Sequence, residues 1–145
     1  MRKVEDRGGP AQPLLIVSGL RKHFPLNKPM LASGPRPVVR AVDDIDFQLP
    51  KGGTLGVVGE SGCGKSTTAR LLMHLIEPDA GDIIFDGEAV GRHDGMSVRT
   101  MRRQMQMVFQ DSYASLNPRL TILETIAFGP ASHGTPVRQA RAQAA

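Results

Sequence analysis

A glycine-rich stretch between two apolar segments constrains this chain more than any other feature. Residues 59–67 read Gly-Glu-Ser-Gly-Cys-Gly-Lys-Ser-Thr, the G-x-x-x-x-G-K-[ST] spacing of a phosphate-binding loop. Residues 54–58 before it are short, apolar and β-branched, which predicts a buried strand. Residues 65–76 after it follow a helical pattern that Pro78 stops. This context favours a phosphate site over the alternative, a Gly-rich turn in which Lys-Ser occurs by chance. The expected apolar face of the helix consists of Ala69, Leu72, Leu75 and Ile76.

The chemistry of such a loop follows from its backbone. Glycines allow the chain to curl so that successive N–H groups point inward at phosphate oxygens, and the helix N-terminus adds a partial positive charge. Lys65 is predicted to bring a full charge to the β- and γ-phosphates, Ser66 to ligate Mg²⁺, and Thr67 to support the α-phosphate. The predicted ligand-binding positions are Gly59, Glu60, Ser61, Gly62, Cys63, Gly64, Lys65, Ser66 and Thr67; the side chains of Glu60, Ser61 and Cys63 are tolerated rather than required.

Length and composition narrow the classes of protein. The 145 residues are enough for one small domain with a core, and the net charge of +4 suits anionic ligands. Five Phe, one Tyr and no Trp provide no platform for stacking bases, so nucleic acid is not an expected partner. Cys63 is the one cysteine, which fits a reducing cytoplasm; it is either a reactive thiol or a bystander. No apolar run reaches the length of a signal peptide or membrane span, so we expect membrane association only through a partner.

The pattern along the rest of the chain predicts an α/β organisation. Residues 1–13 are expected to be flexible. Strands are predicted at 14–24, which contains a turn, at 38–49, at 83–85 and at 105–109, with a Pro-rich loop at 25–37. Helices are predicted at 97–103, capped by Ser97, and at 121–128, where Thr121 and Glu124 form a capping box. Residues 129–145 are compatible with the start of another helix. The apolar residues expected on one face of the 38–49 strand are Val39, Ala41, Ile45, Phe47 and Leu49.

With two further blocks, the chain resembles ATP-binding-cassette (ABC) ATPases, and more narrowly the ATP-binding subunits of oligopeptide/dipeptide importers. One block runs from Leu-Ile-Glu-Pro at 75–78 through Gly81 to Phe-Asp-Gly at 85–87; the other is Arg-Arg-Gln-Met-Gln-Met-Val-Phe-Gln-Asp-Ser-Tyr-Ala-Ser-Leu-Asn-Pro-Arg at 102–119. Ser112, where the family often has proline, is a small departure. The resemblance implies a P-loop NTPase fold of ABC type: an N-terminal antiparallel β subdomain plus the start of the mixed core sheet. Residues 14–134 would be a partial nucleotide-binding domain, with 25–37 as an insertion loop and 135–145 as the start of the helical subdomain.

The resemblance also assigns roles outside the phosphate loop. Gln110 would be the Q-loop glutamine, which contacts Mg²⁺ and the attacking water; the alternative is a polar residue at a strand end. Phe24 would stack on adenine, whereas a lone Phe is more often part of a core. Residues 113–119 would contact a membrane subunit or form a solvated loop. The implied cofactors are ATP and Mg²⁺.

A patch of methionines, which does not depend on the resemblance, is interpreted as core or as a docking surface: Met96, Met101, Met105 and Met107.

The implied activity is that of an ATP-binding subunit of a peptide importer, which couples ATP binding and hydrolysis to transport. The implied partners are permease subunits and a second ATP-binding subunit, identical or different, at the cytoplasmic face of the inner membrane. The family's signature loop, Walker B carboxylates and switch histidine follow the Q-loop, and this sequence ends first. We therefore expect the chain alone to bind ATP and to hydrolyse it poorly; the alternative is an inert or regulatory fragment.

A different P-loop protein, such as a kinase or GTPase, is disfavoured by residues 105–119 and by the absence of an Asn-Lys-x-Asp motif. Two segments resemble catalytic motifs of the family, but their positions in the chain exclude that role. Asp86 and Glu88 imitate a Walker B strand, but they flank a glycine turn. Residues 31–35 imitate the signature loop, but they precede the phosphate loop.

Overall fold

The computed structural model describes residues 12–27, 36–111 and 116–145. The chain divides into two compact units, Met1–Met105 and Gln106–Ala145. Residues 1–11 of the predicted flexible N-terminus, residues 28–35 of the predicted Pro-rich loop and Ser112 lie outside the described residues. Pro13, predicted to be flexible, begins the first strand. The predicted domain boundaries at 14 and 134 stay predictions.

The first unit is built on a four-stranded antiparallel sheet. Its strands are β1 (Pro13–Pro25), β2 (Val38–Pro50), β3 (Ala80–Phe85) and β4 (Glu88–Ala89), in the order β2-β1-β3-β4. The Leu26 N–H donates to Pro37 O at 2.9 Å, so the two ends of the predicted Pro-rich loop lie side by side. Asp86 and Gly87 form the predicted turn between β3 and β4. The antiparallel β subdomain is therefore confirmed.

The alternation predicted for β2 holds only over its second half. Ile45, Phe47 and Leu49 pack against the core as expected. Asp44 has φ 59°, in the left-handed region, and this irregularity shifts the alternation by one residue. As a result Val42 is buried at 4% exposure, whereas Val39, predicted to face inward, is 46% exposed.

Two helices complete the first unit: α1 (Lys65–Leu72) and α2 (Val98–Gln104). Helix α1 ends four residues before the predicted end because His74 adopts φ 50° and donates its N–H to Leu71 O at 2.9 Å. Its most buried residue is Leu71, outside the predicted face, and Leu75 is 50% exposed. Helix α2 begins as predicted, with Ser97 Oγ accepting from the Thr100 N–H at 3.1 Å.

The core lies between one face of the sheet and the two helices. Met96 and Met101 belong to it and Met105 packs against it, so the core interpretation holds for three of the four patterned methionines. The buried cluster consists of Leu15, Val17, Leu20, Val42, Leu71, Ile83, Phe85, Val90, Met96 and Met101.

Two of the predicted strands do not form. Residues 54–58 and 105–109 have no regular secondary structure, and Val58 and Val108 are 94% and 89% exposed. A strand of a parallel sheet gains its hydrogen bonds from neighbours on both sides. No strand among the described residues pairs with either segment. The prediction of a buried strand before the glycine-rich loop is therefore wrong for this chain.

The second unit contains α3 (Ile122–Ser132) and α4 (Val137–Ala144). The predicted capping box opens α3: Thr121 Oγ1 accepts from the Glu124 N–H at 3.2 Å, and Glu124 Oε2 accepts from the Thr121 N–H at 3.0 Å. The helix continues four residues past its predicted end and includes Pro130. Arg141 on α4 pairs with Glu124 at 2.6 Å. No helix in the described part of the chain is long and apolar enough to cross a membrane.

Candidate functional site

The N-terminus of α1 is open to an anion. Gly64 is its N-cap residue, no side chain caps the helix, and the first turn contains no acidic residue. The first backbone N–H groups of a helix have no intrahelical acceptor, and they carry the positive end of the helix dipole. A bound phosphate would supply both the missing acceptors and the complementary charge.

Two glycines set the shape of the glycine-rich loop. Gly64 has φ 98°, and a Cβ at this position would lie 2.1 Å from Ala41 O on β2. A Cβ at Gly59 would lie 2.7 Å from Cys63 Sγ, across the loop. At Gly64 the clashing atom belongs to the backbone of β2, so a larger residue would force the backbone to move. At Gly59 the clashing atom is a side-chain sulfur that can turn away, and the cost of a larger residue there lies in its φ of 156°. Gly64 is therefore required by the close approach of the loop to β2.

The Lys65 ammonium is held against the loop. Its Nζ donates to Gly59 O at 2.7 Å and to Glu60 O at 2.8 Å, and lies 3.5 Å from Cys63 Sγ. Thr68 Oγ1 donates to Gly64 O at 3.1 Å and steadies the first turn of α1. A full positive charge thus lies beside the uncapped helix end, and its predicted contact with phosphate stays a prediction. The loop folds this way although the strand before it does not form.

The remaining loop side chains leave room for a metal-bound phosphate. Glu60, Ser61, Cys63 and Ser66 are exposed, and Thr67 is half-buried. Within the described ranges, no three His, Cys, Asp or Glu side chains are grouped to hold a metal ion. Mg²⁺ at this position would therefore depend on the Ser66 hydroxyl and on phosphate oxygens, a combination typical of Mg²⁺ in nucleotide sites.

Phe24 is not a core residue. It lies near the end of β1, opposite Val39 on β2, and is 36% exposed. The Lys22 ammonium lies over its ring, 5.7 Å from the centroid. The accessible ring is compatible with the predicted stacking on adenine, which stays a prediction.

No sequence pattern predicts the hydrogen bonds that Asp79 forms beside Phe24. Asp79 accepts from Lys22 Nζ and from the His23 N–H, both at 2.7 Å, and these hydrogen bonds, that from His23 first, lower the pKa of the Asp79 carboxyl. His23 Nε2 lies 2.9 Å from Asp43 Oδ1, a contact that lowers the pKa of Asp43. Asp79 and its partners are 56 and 57 residues apart, so no local pattern indicates the contact.

Gln110 belongs to the second unit. It is exposed and lies outside helices and strands, so its predicted contacts with Mg²⁺ and water stay predictions. Of the predicted partner-contact loop, residues 112–115 lie outside the described part. Asn117 and Arg119 are exposed in a turn in which Asn117 Oδ1 accepts from the Arg119 N–H at 3.0 Å.

Asp86 and Glu88, the two residues that resemble Walker B carboxylates, belong to a turn and a short strand. Asp86 lies in the turn between β3 and β4, and its carboxylate pairs with Lys51 at 2.7 Å. Glu88 follows on the short strand β4 and is exposed. The ion pair links the β3–β4 turn to the end of β2, which is a structural role and not that of a catalytic carboxylate.

Comparison with known proteins shows that the chain resembles ABC transporter proteins over most of its length and not only at the glycine-rich loop. The family described as ABC transporter matches residues 42–145. The oligopeptide transport ATP-binding protein OppF of Bacillus subtilis is 49% identical over 80% of this chain and 36% of its own length. The probable peptide ABC transporter ATP-binding protein y4tS of Sinorhizobium fredii is 53% identical over 74% and 30%. The dipeptide transport ATP-binding protein DppF of Escherichia coli is 46% identical over 74% and 32%. The chain thus spans about a third of the length of these relatives.

Solved structures show the same fold. The ATP-binding cassette MJ0796, in a dimeric post-hydrolysis state bound to ADP and Pi, superposes with a TM-score of 0.65 at 19% identity, covering 90% of this chain and 53% of that chain. A bacterial Atm1-family ABC exporter with ATP bound superposes with a TM-score of 0.59 at 26% identity, covering 83% and 18%. The first likeness supports the fold alone, because its sequence identity is low.

Proposed function

Because the chain belongs to the ABC transporter family, we propose that it is the ATP-binding portion of a subunit that drives the import of peptides. One observation carries the proposal: the uncapped start of α1 and the Lys65 ammonium, 2.7 Å from Gly59 O, together form a positively charged cradle for phosphate. The names of the relatives, which include oligopeptide and dipeptide transport proteins, support the choice of substrate.

In this proposal the loop backbone and Lys65 bind the β- and γ-phosphates of ATP, and Ser66 contributes to the Mg²⁺ site. Phe24 stacks on the base, and Gln110 positions water and metal. The Lys65 ammonium exchanges its two carbonyl acceptors for phosphate oxygens when the nucleotide enters. The phosphate oxygens carry negative charge whereas the carbonyl oxygens are neutral, so the ammonium gains a charge–charge attraction that favours the exchange.

The proposed partners are permease subunits and a second ATP-binding subunit at the cytoplasmic face of the membrane. Their relevance is tested by co-purification of the chain with permease subunits from the same cells, and by uptake of a labelled dipeptide after deletion of the gene. Unchanged uptake of dipeptides combined with lost uptake of another solute would contradict the peptide assignment and leave ATP binding intact.

Nucleotide binding is tested by thermal unfolding with Mg-ATP. Ligand at about 100 times the dissociation constant stabilises the folded state by roughly 2.7 kcal/mol. Lys65→Ala is expected to abolish the shift, because it removes the ammonium that the loop holds. Arg70→Ala, which removes a positive charge from the last turn of the same helix, serves as the control and should retain it. Loss of the shift in both variants, or a strong preference for GTP over ATP, would contradict the proposal.

A further inference from the structure

One carboxylate holds the end of β1 in place beside Phe24. Asp79 Oδ1 accepts from Lys22 Nζ at 2.7 Å, and Oδ2 accepts from the His23 N–H at 2.7 Å. The Asp79 N–H in turn donates to Arg21 O at 2.9 Å. The three contacts fall on consecutive residues of β1, directly before Phe24. The backbone that carries the ring is therefore fixed to the segment that leads into β3.

The same carboxylate fixes the ammonium that lies over the ring. Lys22 and Phe24 lie two residues apart near the end of β1. The Lys22 Nζ, 5.7 Å from the ring centroid, is within the range of a cation–π interaction. Its side chain is only 16% exposed, whereas Phe24 is 36% exposed. The Lys22 ammonium thus lies over the ring, and about a third of Phe24 stays exposed to a ligand.

We propose that Asp79 is a positioning residue for the bound nucleotide: through Lys22 and the His23 N–H it holds the Phe24 ring in the orientation that receives the purine base. The proposal rests on the nucleotide-binding function proposed above. Asp79 does not touch the ligand and acts through Phe24 alone. Its removal should therefore weaken the recognition of the base and leave the recognition of the phosphates unchanged.

The test compares the binding of Mg-ATP with that of Mg-tripolyphosphate, which lacks a base, by titration calorimetry on the full chain. Phe24→Ala should weaken ATP binding about tenfold, at the lower end of what base–aromatic stacking contributes. Asp79→Asn and Lys22→Met should each weaken it about three- to fivefold, as expected for loss of a partly exposed cation–π contact. Tripolyphosphate affinity should stay unchanged in all three variants. Asp82→Asn, which breaks the Asp82–Arg92 ion pair on β3, is the matched control and should change neither affinity.

A double variant separates positioning from general destabilisation. Since Asp79 acts through the ring, Asp79→Asn should cause no further loss in a Phe24→Ala background. An equal loss of tripolyphosphate binding, or the same fold-loss with and without the ring, would overturn the proposal. If the unmodified chain bound neither ligand, the proposed function would fail as well. If it bound both and Phe24→Ala had no effect, phosphate binding would stand and the role of Asp79 would be refuted.

Discussion

Gly64 connects the phosphate loop to the sheet through a contact between backbone atoms. A side chain at this position would meet Ala41 O at 2.1 Å and would also have to adopt φ 98°. The sequence predicts this glycine because the loop motif is local and its spacing is specific. The sequence does not predict its contact with β2, because Ala41 lies far away along the chain. For the same reason the sequence does not predict the contacts of Asp79 with β1, and Asp79 resembles an ordinary turn residue.

Gly64→Ala should destabilise the first unit by about 1–3 kcal/mol, because the methyl group forces strain on the backbone or displaces β2. Urea unfolding followed by far-UV circular dichroism measures the change. Gly56→Ala is the control: a Cβ there meets nothing within 4 Å, so its effect should stay within about 0.5 kcal/mol. Equal effects of the two substitutions would show that the close approach to Ala41 does not exist in solution.

At the scale of single elements, the sequence predicts helix starts better than helix ends. Ser97 and the Thr121–Glu124 capping box both form as expected, since caps act over three or four residues. Helix α1 ends earlier than its pattern predicts because His74 adopts a left-handed φ of 50°, which the sequence does not indicate. Arg102 on α2 donates to Met73 O at 3.1 Å and to His74 O at 2.8 Å, so a residue far along the chain also stabilises this end.

The capping box of α3 should depend on pH. Hydrogen bonds from the backbone N–H and hydroxyl of Thr121, together with Arg141, lower the pKa of Glu124 from its ordinary 4.5. A lowered pKa in the folded state means that the ionised carboxylate stabilises the helix above pH 4.5, and that this contribution is lost as the pH falls below 4.5. Circular dichroism at 222 nm between pH 7 and about pH 3 measures the loss.

Glu124→Gln should have a weaker helix signal than the unmodified chain at pH 7, and the difference should vanish in acid. The exposed Glu77, outside α3, provides the control variant Glu77→Gln, which should follow the unmodified chain. A difference between Glu124→Gln and the unmodified chain that persisted unchanged in acid would contradict a role for the charge of Glu124.

At the scale of the whole molecule, the antiparallel sheet forms, whereas the described residues 54–58 and 105–109 join no sheet. The antiparallel strands find their partners inside residues 13–89, so local turns and alternation were enough to predict them. Residues 54–58 have the composition of a buried parallel strand but find no pairing strand among the described residues. The sequence shows that these residues are apolar. It does not show whether they are buried, because burial depends on other segments that pack against them.

Stability measurements distinguish the core from the exposed apolar segment. Leu71→Ala should cost about 2–5 kcal/mol, because Leu71 is fully buried and a cavity remains. Val58→Ala should change the free energy of unfolding by no more than about 0.5 kcal/mol, because Val58 is 94% exposed. Comparable costs for the two would mean that residues 54–58 are buried in solution.

The chain on its own should bind ATP and hydrolyse almost none. Phosphoryl transfer depends on positioning and charge stabilisation, and in the described ranges no acidic cluster accompanies Ser66 at the metal position. Phosphate release under saturating Mg-ATP measures the rate, with a protein-free blank as the reference. Sustained release of many phosphates per chain above the blank would contradict this expectation.

The register between β1 and β2 determines the spacing of the proposed site. Phe24 pairs with Val39 on β2, and Ala41, two residues further along β2, is the contact of Gly64 at the phosphate loop. The ring proposed for the base and the loop proposed for the phosphates are thus joined through the ladder of one hairpin. On the proposed roles of the two sites, a shift of the β1–β2 register would therefore move the base-stacking ring relative to the phosphate loop.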